Sequence, residues 1–277
     1  MNSVASRWPG AVDRAFDERT DSVDSVDSAE LSVRRSQMGR GAGVMVGGGP
    51  RAIFDEGVGY WIALSGVPSP DLNMSLVSSG DTRVADRVLE QITEAGVPSL
   101  FMLAGEGQAA KLGAPWQHVG EMPFMASDLD PDYLGADPRV RQADARDVDV
   151  VCALMADAFG LAIALLNDVI ARVLSDGNGP TKIWVLDEGD VAVSAVLTSM
   201  VDDAVTVWSM STPARFARRG YGRAILADTL LRAKSDGAKV GLLGATPPGK
   251  PLYDATGWIT LEHWQMFASA ESVQFDG

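Results

Sequence analysis

Between Val205 and Arg232 the chain reads VTVWSMSTPARFARRGYGRAILADTLLR, and few folds accommodate such a stretch. Val205 and Val207 place β-branched residues at alternate positions, which suits a strand. Gly220 and Gly222 close a run that carries Arg215, Arg218 and Arg219. Ala224, Leu226, Ala227, Leu230, Leu231 and Ala233 then recur at helical spacing. The reading is strand, basic glycine turn, helix. A glycine turn that opens a helix aims unpaired backbone N–H groups outward at the positive end of the helix dipole. Such a turn suits an anion, above all a diphosphate.

The rest of the chain sharpens that reading. Of the 277 residues 46% are hydrophobic and 22% charged, so most of the chain should be globular, as one large domain or two of ordinary size. The net charge of −14 argues against nucleic acid as the main partner, which makes the arginine-rich turn a local small-anion site in an acidic protein. Cys152 is the single cysteine and sits in the apolar run VVCALM, where it reads as a buried small hydrophobe; no intrachain disulfide can form. The two histidines, His118 and His263, have no metal-ligand spacing, so no metal is expected. No apolar run approaches the ~18 residues that span a bilayer, and no signal peptide opens the chain. The expectation is a cytoplasmic protein without membrane partners.

Residues 1–50 are rich in Ser, Asp, Arg and Gly and read as a disordered arm ending at MVGGGP. From 51 to 126 the pattern turns globular: GYWIALSG and DLNMSLVS as strands, VADRVLEQITEAG as a helix stopped by Gly96, PSLFMLAG as a buried strand, QAAKLGAP as a short helix or turn and WQHVGEMPFM as a last strand. Residues 127–138 form an acidic, proline-containing linker. Residues 139–277 give a short strand at VRQAD, two amphipathic helices up to Gly177, three strands joined at Glu188–Gly189–Asp190 and Asp202–Asp203, then the glycine turn and its helix. KVGLLGAT, PPGKPLYDATG and WITLEHWQMF complete the order as strand, short helix and strand. A mixed α/β sheet with helices on both faces accounts for it.

The two globular parts share their ending. Trp116 matches Trp258 (258 − 116 = 142), and the same offset sets PSLFMLA against VGLLGAT and WQHVGEMPFM against WITLEHWQMF. The copies part company before the helix: the first carries SLVSSGDTRVADRVLEQ, without the spaced glycine pair and with few arginines. One anion-competent copy and one degenerate copy are expected.

Residues 139–267 resemble the GNAT superfamily of acyl-CoA-dependent N-acyltransferases. ARRGYGRAI, residues 217–225, is similar to that family's pyrophosphate loop, with Gly220 and Gly222 on its two glycines. GKPLYDATGW, residues 249–258, is similar to its later G-x-P-L-Y-x-x-x-G-F segment, with Trp258 in place of Phe. Ala217 departs from the loop pattern, which usually opens on Gln or Arg; phosphates are held there mainly by backbone N–H groups, so the departure bears on one side-chain contact. The whole chain resembles tandem arrangements in which a degenerate copy precedes a working one.

The resemblance implies acetyl-CoA as cosubstrate and an amine on a small molecule or peptide as acceptor. It implies a diphosphate held by Arg218, Arg219, Gly220, Tyr221, Gly222 and Arg223, and a pantetheine arm paired with the backbone of Met210, Ser211 and Thr212. Tyr253 falls on the family's frequent general acid. No general base is legible: Asp202, Asp203, Glu262 and His263 are the ionisable residues on the acceptor side in this reading, and Trp208, Met200, Trp264 and Met266 are candidates to line the acceptor pocket. A non-catalytic acyl-CoA sensor is the competing function, and a homodimer is left open. A dinucleotide-binding domain fits poorly, because the glycine turn follows the fourth strand of its part and no spaced acidic residue closes a ribose site.

Overall fold

A computed structural model describes residues 28–129 and 132–269. Eleven strands form one continuous mixed sheet: β1 (Ile53–Gly57), β2 (Tyr60–Leu64), β3 (Asn73–Val77), β4 (Leu100–Leu103), β5 (Trp116–Ser127), β6 (Val140–Gln142), β7 (Thr181–Glu188), β8 (Val191–Val201), β9 (Ala204–Ser211), β10 (Val240–Gly244) and β11 (Ile259–Ser269). Their order across the sheet is β1-β2-β3-β4-β11-β5-β10-β9-β8-β7-β6. The helices are α1 (Ser28–Val46), α2 (Thr82–Ala95), α3 (Val148–Phe159), α4 (Ile163–Ser175), α5 (Tyr221–Ser235) and α6 (Lys250–Asp254).

Side-chain alternation along the strands divides the core between two faces. Trp61, Leu76, Met102, Phe124, Leu197 and Trp264 lie under α1, α3 and α4. On the other face Val205, Val207 and Leu243 pack beneath α5 and α6, and Ile62, Val77 and Phe101 beneath α2. Cys152 is fully buried in the first of these clusters, and burial pushes its thiol up to about 11.

The last strand of each part crosses into the other. β5 runs antiparallel to β10, and β11 runs antiparallel to β4. Between them β5 and β11 form a long antiparallel pair, so the boundary expected at residues 127–138 does not separate the strands. The register carries the 142-residue offset. Leu100 faces Ala268 as Leu242 faces Ala126, and Met102 faces Met266 as Gly244 faces Phe124. At the centre Trp264 faces Met122, two positions related by the same offset, so an approximate two-fold axis passes through this pair.

Residues 28–46, expected within a disordered arm, form α1 instead, while residues 1–27 lie outside the described part. Glycine weakens an isolated helix by ~1 kcal/mol per residue relative to alanine, which is why composition pointed to disorder. Here the glycines allow close approach to the sheet. A Cβ on Gly39 would stand 2.3 Å from Trp61, one on Gly41 2.3 Å from Thr206, and one on Gly43 2.3 Å from Phe54. Polar side chains fix the helix further. Arg40 pairs with Asp202 at 2.7 Å, Gln37 donates to Asp203 at 2.9 Å, and Arg35 makes a two-pronged pair with Glu262 at 2.5 and 2.7 Å. The edge strand β1, with mostly exposed positions, has no counterpart in the sequence reading.

Candidate functional site

The site begins where β9 leaves β10. The two run parallel only from Ala204 to Thr206, opposite Val240 to Leu242. Beyond that point β9 stays with β8 and β10 stays with β5, which leaves a V-shaped cleft in the sheet. A bulge shapes the β9 wall: Trp208 faces Leu197 and Ser211 faces Ala195, so β9 holds one residue more than β8 in this interval. Ser209 takes the extra turn at φ 46°.

From the bulge the chain passes through Thr212 and a short helical turn at Ala214–Phe216. Arg218 has φ 62° and Gly220 φ 84°. Left-handed backbone costs a non-glycine residue on the order of 1 kcal/mol, and such strain concentrates at functional sites. Gly220 carries its own left-handed turn without that cost and starts α5. The first helical bond is donated by Ala224 to the Gly220 carbonyl at 2.9 Å, so the N–H groups of Tyr221, Gly222 and Arg223 have no acceptor within the helix. Ala217 is exposed and extended, and its N–H donates to Ala214.

Charge follows the same geometry. Arg218, Arg219 and Arg223 are exposed and have no carboxylate partner among the described residues, although the chain is strongly acidic. Arg215 instead pairs with Asp157 and lies over the Phe216 ring at 4.7 Å. The Tyr221 ring is half-buried beneath the Arg139 guanidinium, 5.8 Å from its centre. α5 is anchored from below by Asp228, a fully buried carboxylate that accepts from Arg232 at 2.5 Å and from the Asp137 backbone at 3.0 Å.

Met210 joins the parts of the site. A Cβ on Gly222 would lie 3.2 Å from the Met210 Cε, 3.4 Å from the Thr212 hydroxyl and 3.5 Å from Leu252. From α6, Tyr253 directs its hydroxyl to the Met210 sulfur at 3.5 Å, a weak acceptor that leaves the phenol free for a stronger one. Tyr253 is 7% exposed, with its ring edge-on to Trp258 at 5.7 Å. Burial pushes the phenol well above its usual range, so it keeps its proton at neutral pH. Ser211 is buried, and its carbonyl is taken by the Ser194 hydroxyl at 2.9 Å, which also meets Thr212 Oγ1 at 2.9 Å.

Sequence reasoning missed Ser194, which carries no signal beyond ordinary strand pattern, and gave no role to Leu252, although it stands on the leucine of the GKPLYDATGW segment. The acceptor-side candidates fare differently. Asp202 and Asp203 form the β8–β9 turn, at the far end of β9 from the bulge, and are held by α1. The hydrogen bond from Gln37, and after it the charge of Arg34, holds the Asp203 carboxyl below its usual range. Glu262 is tied to Arg35 and accepts from the Trp264 indole at 2.6 Å. His263 is exposed and offers its carbonyl to Gln108. Trp264 and Met266 are core residues, Trp264 stacked on Phe124 at 4.5 Å. Met200 and Trp208 are half-buried on opposite faces of the sheet.

No family model matches the sequence, and neither does any curated protein. Solved structures match the fold. A GCN5-related N-acetyltransferase from Kribbella flavida superposes with a TM-score of 0.59 at 15% identity, covering 88% of this chain and 95% of that one. The chain has the GNAT fold. A GCN5-related N-acetyltransferase from Sphaerobacter thermophilus gives a TM-score of 0.52 at 11% identity over 76% of both chains. A functionally unknown conserved protein from Staphylococcus epidermidis gives 0.57 at 12% identity, over 78% of this chain and 92% of that one. The GNAT-fold likeness thus spans both halves of the sheet, with no described helix long and apolar enough to cross a membrane.

Proposed function

We propose that this protein is an acetyl-CoA-dependent N-acetyltransferase working through the cleft between β9 and β10, its first half being a copy without a cleft of its own. The observation that carries the reading is the convergence on Met210 of a bulged strand, a glycine of the basic turn and a buried phenol. A diphosphate fits the free N–H groups at Tyr221–Arg223, with Arg218, Arg219 and Arg223 adding charge that no described carboxylate cancels. Gly220 and Gly222 keep that approach open. On the side toward β10, Met210 and Ser211 of β9 and the following Thr212 have no strand partner and offer an edge to an extended amide-bearing arm, although the Ser211 carbonyl is already engaged by Ser194.

Acetyl-CoA supplies an activated acyl thioester. In transfer, the amine nitrogen bonds to the acyl carbon, the carbon–sulfur bond breaks and its electron pair leaves with the thiolate. Tyr253 is the proton donor to that sulfur; the proton lost by the amine leaves through solvent, and the phenolate takes one back from solvent as CoA departs. A phenol kept neutral by burial suits the task. Purified protein freed of CoA should melt at a higher temperature with acetyl-CoA and release CoA thiol with some member of an amine panel. No thermal shift would sink the reading.

One observation favours a second reading, a non-catalytic acyl-CoA sensor: Asp202, Asp203 and Glu262 are all committed to partners on α1, which leaves none of them as a base. Binding without turnover on any amine would select it.

A further inference from the structure

On the acyltransferase reading, the cleft has a second wall that the second half of the chain does not make. Thr206 pairs with Leu242, so Trp208 and Gly244 would face each other had β9 and β10 stayed together. They part instead, and each flank of the gap carries one large side chain. On β9, Trp208 is half-buried and its indole N–H donates to the Thr206 hydroxyl at 2.8 Å, so the rest of the side chain is apolar ring. On β10, Gly244 has no side chain, and the thioether of Met122 takes that place. A Cβ on Gly244 would stand 2.5 Å from the Met122 sulfur and 2.7 Å from its methyl. Met122 belongs to β5, the strand received from the first half.

Trp208 and Met122 both pack against the cluster under α1, α3 and α4. Tyr253, Met210 and Tyr221 belong to the opposite face. The acid and the basic turn therefore approach the gap from one side of the sheet, and the tryptophan–methionine pair borders it on the other. The nearby carboxylate on that face, Glu262, is consumed by Arg35 and the Trp264 indole. A flat ring and a pliable thioether without a free carboxylate recognise apolar bulk and, at most, one cation against the ring.

We propose that β5 of the first half forms the acceptor wall, and that Met122 opposite Trp208 selects primary amines carried on an aromatic or branched apolar body. The proposal rests on the acyltransferase reading, and the test separates the two. In the full-length chain at saturating acetyl-CoA, 2-phenylethylamine should exceed spermidine at least about tenfold in kcat/KM. Met122→Trp should raise the KM for 2-phenylethylamine about tenfold or more, with kcat and acetyl-CoA affinity each changing less than about threefold. Met122→Ala should widen the panel toward bulkier amines. A preference for spermidine, or an unchanged ranking in both variants, overturns the wall while acetyl-CoA binding stands; loss of acetyl-CoA binding in the unsubstituted protein overturns the parent reading and the wall with it.

A measurement independent of turnover uses Met122→Cys and N-ethylmaleimide, since the native Cys152 is fully buried and its thiol is pushed up to about 11. With desulfo-CoA present, which has no thiol to consume the maleimide, 2-phenylethylamine should slow labelling about fivefold or more and spermidine should not. Equal protection by both amines, or by neither, overturns the proposal.

Discussion

The two halves of the sheet make the same turn in two ways. In the second half the connection from β9 to α5 runs through residues 212–220, and β9 leaves β10 after Thr206. In the first half the connection from β3 to α2 is residues 78–81, and β3 stays paired with β4 to its end, Val77 facing Leu103. The Ala104 N–H then donates to the Val77 carbonyl and closes the seam. The α2 start is capped by the chain itself, because the Asp81 carboxylate accepts from the Arg83 backbone at 3.1 Å. The α5 start has no side-chain cap and presents free N–H groups. One helix start is capped by its own chain, and the other leaves its first N–H groups without a side-chain cap. A few residues in a connection therefore separate a closed sheet from an open one.

Substitutions test that contrast. The largest effect is expected at the open connection: Gly222→Leu should push into Met210 and Thr212 and weaken acetyl-CoA binding by about 100-fold or more, measured by calorimetry, with circular dichroism unchanged. Next comes chemistry without binding. Tyr253→Phe should slow acetyl transfer on the order of 100-fold and leave the acetyl-CoA dissociation constant within about twofold; an unaltered rate would remove Tyr253 as the acid. Gly41→Ala is predicted to lose ~2 kcal/mol in urea unfolding, because the new methyl meets Thr206, whereas helix propensity alone would give a gain of ~1 kcal/mol.

At the closed connection, Asp81→Ala should cost ~1 kcal/mol of stability and leave acetyl-CoA affinity unaltered. A fall in affinity there would mean that the first half also holds cofactor. The smallest effect lies in alkali. Burial raises the folded Tyr253 phenol above its ordinary 10.0, so its contribution to stability is complete below about pH 10 and is lost as pH rises toward the folded value. Tyr253→Phe should flatten part of that loss in melts recorded between about pH 9 and 11, the remainder belonging to Tyr60, Tyr133 and Cys152, whose acids are also raised.

The strand–turn–helix from Val205 to Arg232 was legible because its signals are local: β-branched alternation, a glycine pair, helical spacing. The 142-residue offset was legible too, and it reappears residue by residue in the strand register. Which strand pairs with which was not, because identical patterning in β5 and β11 is compatible with either placement. α1 stayed hidden because its stability comes from contact with Trp61, Thr206 and Phe54, none of which a composition count can see. The partners of Asp202 and Glu262, two of the ionisable residues read on the acceptor side, were illegible for the same reason: Arg40 and Arg35 lie more than a hundred residues away on that helix.

The crossing of β5 and β11 has a consequence for how the protein is made. During synthesis from the N-terminus, β4 emerges long before β11, the strand that covers its open edge. Until then the nascent first half carries a bare hydrogen-bonding rim, the kind of edge that recruits foreign strands. Neither half can finish its sheet alone, so cutting the chain at the linker should yield two sticky fragments rather than two folded domains, and mixing the fragments should restore the sheet that neither completes.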